Sequence, residues 1–166
     1  MRIRDERPED EETIGQITTA AFANMPFADG DEADLIEKLR ATGGLTISLV
    51  AESDGKTVGH ISFSPVRVNG RDGPWYQLAP VAVVPEFQGR GIGSALIVAG
   101  IERLKALGAE TCMVLGHEDY YPRFGFENVG ELSDNYPHRN PNFMRLVLKG
   151  EAPTGKVTYH PAFGEM

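Results

Sequence analysis

The chain reads as an α/β protein built on a mixed sheet, and three features of its 166 residues carry that reading. First, the dipeptides Asp54-Gly55 and Asn69-Gly70 separate three apolar runs between positions 45 and 84. Such dipeptides supply the positive-φ residues that tight β-turns demand, so the three runs form antiparallel strands. Second, two stretches ahead of this block repeat apolar residues at helical spacing. Third, an apolar run ending at Pro85 passes through a glycine-rich loop into a further helical pattern, and another apolar run follows at 111–115. Helices and strands therefore alternate along the second half of the chain.

From the N-terminus, residues 1–4 form a short edge strand around Ile3. Pro8 suits the first position of a helix, and Glu9, Asp10, Glu11 and Glu12 crowd its first turn, where negative charge complements the dipole. Ile14, Ile17, Ala21 and Phe22 make its apolar face, while Arg7 is a weak cap. A loop over 24–30 leads to Asp31 as N-cap of a second helix, which carries Leu35, Ile36 and Leu39 and stops at Gly43. Residues 45–52 alternate through Ile47, Leu49 and Ala51, and the return strand covers 58–68, with Pro65 setting a bend or an edge. A third strand spans 75–84. Pro80 removes a ladder hydrogen bond inside it, which predicts a bulge or a splayed edge.

The helix after the glycine loop shows Leu96, Ile97, Gly100, Ile101 and Leu104 on one face and ends at Gly108. Gly100 costs about 1 kcal/mol relative to Ala, a cost that close packing on a sheet would explain. A buried strand at 111–115 and one or two helical turns at 119–124, shortened by Pro122, come next. An extended segment from Gly125-Phe126, a polar loop over 131–142 and strands at 143–148 and 155–159 complete the chain. The total is about seven strands and three or four helices in one domain, residues 1–166, with no linker and no internal repeat.

Composition excludes several classes of function. A net charge of −8 argues against non-specific nucleic-acid binding, which needs a basic footprint. The single Cys112 rules out an internal disulfide framework, and its apolar surroundings read as a buried thiol. His60, His117, His138 and His160 show no metal-ligand spacing with one another or with Cys112, so no metal is expected. With no signal-peptide pattern and no apolar run of membrane-spanning length, a cytoplasmic protein without a membrane partner is expected.

Chemistry concentrates at residues 81–94. Glycines at 89, 91 and 93 let the backbone approach a ligand without Cβ clashes. N–H groups at the start of a helix, together with its dipole, favour an anion, so a phosphate-bearing ligand is indicated. A P-loop is excluded because no lysine follows the glycines. The dinucleotide fingerprint finds its first two glycines at Gly89 and Gly91 and an acid at Glu110. Against it, Ser94 replaces the third glycine, and hairpin strands precede the loop in place of a repeated βαβ unit.

The string Gln88-Gly89-Arg90-Gly91-Ile92-Gly93 resembles instead the Q/R-x-x-G-x-G/A pyrophosphate loop of the GNAT superfamily of acyl-CoA-dependent N-acetyltransferases. Val81-Ala82-Val83-Val84-Pro85 resembles the V-x-V-x-P segment that precedes that loop. Tyr120-Tyr121-Pro122-Arg123-Phe124-Gly125-Phe126 resembles the family's F-Y-x-x-x-G-F segment, with Tyr120 at the phenylalanine position. The order of elements is similar from the first strand to the last. The tail Val157-Thr158-Tyr159-His160-Pro161-Ala162-Phe163 resembles a bacterial subgroup of predicted acetyltransferases.

The resemblance implies a GNAT-type α/β fold: a mixed, mostly antiparallel seven-stranded sheet with helices on both faces, splayed between the fourth and fifth strands. It implies a transferase that takes acetyl-CoA as co-substrate and passes the acetyl group to a primary amine, of a small molecule or a protein, by direct attack in a ternary complex. A non-catalytic acyl-CoA-binding sensor or assembly module with the same fold is the alternative. On this reading, backbone N–H groups of Gln88, Gly89, Arg90, Gly91, Ile92, Gly93 and Ser94 hold the coenzyme A pyrophosphate, and Arg90 adds charge or stays solvated. The strand Val81, Ala82 and Val83 pairs its backbone with the pantetheine amides, and an N–H near Val83 stabilises the oxyanion. Tyr121 is the general acid at the departing thiolate, its phenol being protonated at neutral pH. His117, Glu118, Asp119, Glu86 and His60 are the candidates for the base, and Asp29, Asp31, Glu32 and Asp34 for an acidic rim favouring a cationic amine. A homodimer is also implied.

Overall fold

The computed structural model describes residues 1–23, 25, 30–128, 132–133 and 142–163. Its elements run β1 (Arg2–Asp5), α1 (Glu11–Phe22), α2 (Glu32–Ala41), β2 (Ile47–Ser53), β3 (Lys56–Pro65), β4 (Arg67–Val68), β5 (Trp75–Val83), α3 (Ile92–Ala106), β6 (Thr111–Leu115), β7 (Leu132–Ser133), β8 (Phe143–Val147) and β9 (Gly155–Thr158). A six-stranded sheet has the order β1-β2-β3-β5-β6-β8, and a three-stranded sheet the order β4-β9-β7. β5 and β6 are parallel, while β1 with β2, β2 with β3 and β6 with β8 are antiparallel, as a mixed, mostly antiparallel sheet requires.

All seven expected strands are present, but they do not share one sheet. Pro65 ends β3, and beyond it Val68 pairs with Val157, so the last expected strand, β9, belongs to the small sheet. The polar loop expected over 131–142 contains β7, which pairs in parallel with the start of β9; positions 131 and 134–141 lie outside the described residues.

The chain forms two compact units, one of Met1–Phe63 with Pro80–Arg103 and one of Ser64–Ala79 with Leu104–Met166. In the first, turn chemistry closes the sheet: Asp54 and Gly55 take φ of 51° and 79°, the paired positive values of a tight hairpin turn. Cross-strand partners share a face. Ile47, Leu49, Ile61 and Phe63 therefore lie on one side, and Ser48, Val50, His60 and Ser62 on the other. α1 and α2 cover the Val50 side, where Ile14 and Ile36 pack on Val50, and Ile17 and Ala21 on Ala82. α3 covers the opposite face so closely that a Cβ on Gly100 would collide with the Phe63 ring. That contact is the reason for a glycine in mid-helix.

α1 begins at Glu11, after a 3-10 turn at Pro8–Asp10, and not at Pro8. The cause is Asp10. Its carboxylate turns inward to accept both terminal nitrogens of Arg4, at 2.7 and 3.0 Å, and the Arg7 N–H at 2.7 Å. Asp10 is thus buried and paired, unlike Glu9 and Glu12 of the same acidic run, which are exposed.

In the second unit, β5 pairs with β6 through Trp75, Tyr76 and Gln77, whereas β6 pairs with β8 along its whole length. The core gathers Val66, Val68, Met113, Phe143, Val157 and Tyr159. Val66 donates to the Trp75 carbonyl at 3.1 Å, and in the first unit Val84 donates to the Val58 carbonyl at 2.9 Å. Between these bonds the chain of β5 carries one residue more than β3. A bulge therefore lies on the strand that holds Pro80, as the proline predicts.

Candidate active site

The end of β5 and the loop after it belong to the first unit. Val84 spends its N–H on β3. Backbone groups alternate along a strand, so those of Val83 and Val81 point to the edge away from β3. The Val83 carbonyl on that edge accepts a hydrogen bond from Gln88 Nε2 at 2.9 Å. The Val83 N–H leaves the strand on that same edge. Ala82 is buried against Ile17 and Ala21, and its carbonyl faces Gly59 of β3.

A 3-10 turn at Pro85–Phe87 follows β5 and returns the chain at Gln88. Gly89 and Gly91 take φ of 76° and 82°, the left-handed region that glycine enters without strain. No atom lies within 4 Å of where a Cβ on either would stand, so the backbone there is open to a ligand. Gly91 accepts the first bond of α3 from Ala95 at 3.0 Å, which leaves the N–H groups of Ile92 and Gly93 without acceptors inside the helix. Ile92 is buried and anchors that helix end, and Ser94 completes its first turn. Arg90 is exposed, its guanidinium held 4.8 Å from the centre of the Phe87 ring. Free donors, a helix N-terminus and an exposed cation suit a pyrophosphate.

Tyr121 belongs to the second unit. The chain leaves β6 at Gly116 and turns at 117–120, where Tyr120 and Tyr121 donate to the His117 carbonyl at 3.1 and 3.3 Å. Tyr121 then opens a 3-10 turn, Tyr121–Phe124, which Gly125 ends with φ 99°. The Tyr121 ring is 8% exposed and meets Tyr120 and Phe126 edge-on at 5.2 and 5.7 Å. It lies so close over Gly116 that a Cβ there would collide with it. Burial, with Tyr120 and Cys112 nearby, pushes the phenol up to about 12. The hydroxyl keeps its proton at physiological pH.

The candidate bases separate in the structure. His117, Glu118, Asp119 and Glu86 are exposed. His60 is fully buried, and its Nε2 lies 2.7 Å from Ser48 Oγ. Ser48 in turn donates to Glu6, which Arg40 grips at 2.9 and 3.1 Å. Ser48 has one proton, so His60 Nε2–H is the donor to Ser48. Burial pushes His60 down to about 4, with Glu6 opposing and Arg40 assisting. It is a neutral ring engaged inside the first unit, not a base open to a substrate. Of the acidic rim, Asp31 and Asp34 are exposed on α2 and its N-cap, and Asp29 lies outside the described residues, as does His138.

Among the described residues, no group of three or more His, Cys, Asp or Glu is placed to hold a metal ion. No helix among them is long and apolar enough to cross a membrane. Two site features escape the sequence reading: the Gln88 side chain on Val83, and Gly116 as the seat of Tyr121. Gly116 carried a signal, as a glycine at a strand end just ahead of the tyrosine motif; the Gln88 contact carried none.

The model of the Acetyltransferase (GNAT) family matches residues 10–126. The chain belongs to the GNAT family. A GNAT family acetyltransferase from Brucella melitensis, solved in complex with acetyl-CoA, is 42% identical, with a TM-score of 0.87 and coverage of 98% of this chain and 97% of that one. The N-acetyltransferase YhbS of Escherichia coli is 36% identical over 169 residues, 98% of each chain. The structure of E. coli YhbS in complex with CoA gives a TM-score of 0.90 at 34% identity, covering 99% of this chain and 92% of that one. This GNAT thus shares its fold along nearly its full length with proteins seen bound to acetyl-CoA and CoA.

Proposed function

We propose that this GNAT is an N-acetyltransferase of one domain, residues 1–166, which takes its acetyl group from acetyl-CoA and passes it to a primary amine, of a small molecule or a protein, by direct attack in a ternary complex. The observation that carries this reading is the loop at 88–94, with two left-handed glycines and free helix N-terminal donors, in a chain 42% identical to an acetyl-CoA-bound relative. Acetyl-CoA supplies an activated thioester. Gly89, Arg90, Gly91, Ile92, Gly93 and Ser94 bind its pyrophosphate, chiefly through backbone N–H groups; the Gln88 N–H, expected among them, is instead taken by the Pro85 carbonyl at 3.3 Å, which the tight turn at Pro85–Phe87 brings to it. Val81 and Val83 offer backbone groups to the pantetheine amides, and the Val83 N–H meets negative charge developing on the acetyl oxygen. Tyr121 holds its proton at Oη and donates it toward the departing sulfur. Cys112, buried and free of any disulfide, is in keeping with a cytoplasmic enzyme.

The test is release of free thiol from acetyl-CoA across a panel of amines. Turnover above the rate without amine is expected. In Tyr121→Phe, kcat is expected to fall about 10²- to 10³-fold with the CoA Kd unchanged. Tight acetyl-CoA binding with no turnover on any amine would replace the enzyme with a non-catalytic acyl-CoA sensor.

A further inference from the structure

We infer that the Gln88 side chain positions the reacting edge of β5 and does not itself bind coenzyme A: by occupying the Val83 carbonyl, it leaves the Val83 N–H as the one Val83 backbone group open to a ligand. This deepens the acetyltransferase reading and rests on it.

One peptide plane fixes this edge. The unit joining Val83 and Val84 is held at both ends: its oxygen accepts from Gln88 Nε2 at 2.9 Å, and its N–H donates to the Val58 carbonyl at 2.9 Å. Ala82, one residue back, turns its carbonyl to β3. With its neighbours tied down, the Val83 N–H is fixed in direction, off the edge away from β3. A donor that meets developing charge must be oriented before the reaction, because turning it during the reaction would consume the stabilisation it provides.

Electrostatics give the same answer. In an extended strand, a residue's N–H and C=O point the same way. An open Val83 carbonyl would set a negative dipole end beside the N–H and offset its pull on an acyl oxygen. Gln88 cancels that end and brings an amide nitrogen with a second proton to the same edge. The edge at Val83 becomes donor-only and selects a carbonyl-type oxygen, leaving a ligand N–H to find its acceptor at Val81. Local sequence makes this possible: the 3-10 turn at Pro85–Phe87 reverses the chain, so a side chain five positions on reaches back to the strand.

Three variants test it. Gln88→Met keeps length and loses the donor, Gln88→Arg restores a donor, and Gln88→Glu sets an acceptor against the carbonyl. Three measurements are made: CoA Kd by calorimetry, kcat and KM with an amine substrate, and the Val83 amide peak in the ¹H–¹⁵N spectrum of the ligand-free protein. For Gln88→Met, CoA Kd is expected to stay within about threefold while kcat falls about 10- to 100-fold and the Val83 peak moves. Gln88→Arg is expected to recover most of kcat, and Gln88→Glu to fall at least as far as Gln88→Met. A Gln88→Met kcat within about twofold of wild type overturns the inference. So does a loss of CoA affinity of about tenfold with kcat intact, which would make Gln88 a cofactor ligand. Should the wild-type protein acetylate no amine, the acetyltransferase reading fails by itself. The Val83 peak and the CoA Kd then decide on Gln88, and an unmoved peak sinks the positioning role.

Discussion

Tyr121 keeps its proton because of where its ring lies. Burial among Tyr120, Phe124 and Phe126 disfavours the phenolate, and the ring lies in space that a Cβ on Gly116 would fill. A methyl group at Gly116 would push the ring off its seat without touching its chemistry. Gly116→Ala is therefore expected to lower kcat by about tenfold or more with CoA Kd unchanged. Steady-state kinetics beside calorimetry would show this, and an unaltered kcat would mean that the ring position is immaterial. The motif around Tyr121 was legible because a tyrosine four residues before Gly-Phe is a local pattern. Its burial was not, because that depends on packing against Gly116 and Phe126 in the folded chain.

At the scale of elements, α3 shows two local rules in conflict. On an exposed helix surface, Gly→Ala gains about 1 kcal/mol. At Gly100 the added methyl meets the Phe63 ring of β3, so Gly100→Ala is expected to destabilise by about 1–3 kcal/mol. Adding Phe63→Leu should return part of that loss, a coupling that a double-mutant cycle in urea reads directly. Strict additivity of the two changes would remove the close contact from the account. β3 shows a similar limit. Pro65 announced a bend, but only the pairing of Val68 with Val157 shows that the chain changes sheets there.

At the scale of the whole molecule, pH dependence follows from His60. Its pKa is about 4 in the fold and about 6.5 in the unfolded chain, so between these values the unfolded chain binds the extra proton. Stability is complete above about pH 6.5 and declines as pH falls toward 4, by about 3 kcal/mol in all. Glu6 and Asp10 act in a lower window. Burial raises Glu6, but Arg40 and Ser48 more than offset it, and the Arg4 hydrogen bonds hold Asp10 low. Their contribution is present above the ordinary carboxylate range and is lost below it. Urea denaturation at pH 7, 5.5 and 4.5 should show the His60 slope, and His60→Gln should flatten it. An equal slope in the variant would assign the acid sensitivity to other groups.

What could be read from the chain alone is what local physics controls. The hairpin at Asp54-Gly55, the helical faces, the bulge on the Pro80 strand and the glycine loop before α3 each depend on residues a few positions apart. Their backbone angles and periodicity leave few alternatives, and with them came the family and the donor. Tertiary structure decided the rest. It turned Asp10 from one acid among four in a helix's first turn into the buried partner of Arg4, and His60 from a candidate base into the end of a chain through Ser48 and Glu6 to Arg40. It also chose which group of Val83 stays free, by bending Gln88 back across a turn. Such roles follow from which side chains meet after folding, as Arg40 meets Glu6 across 34 positions of sequence. No local periodicity encodes that meeting, since it is set by the sum of the core contacts that bring the elements together.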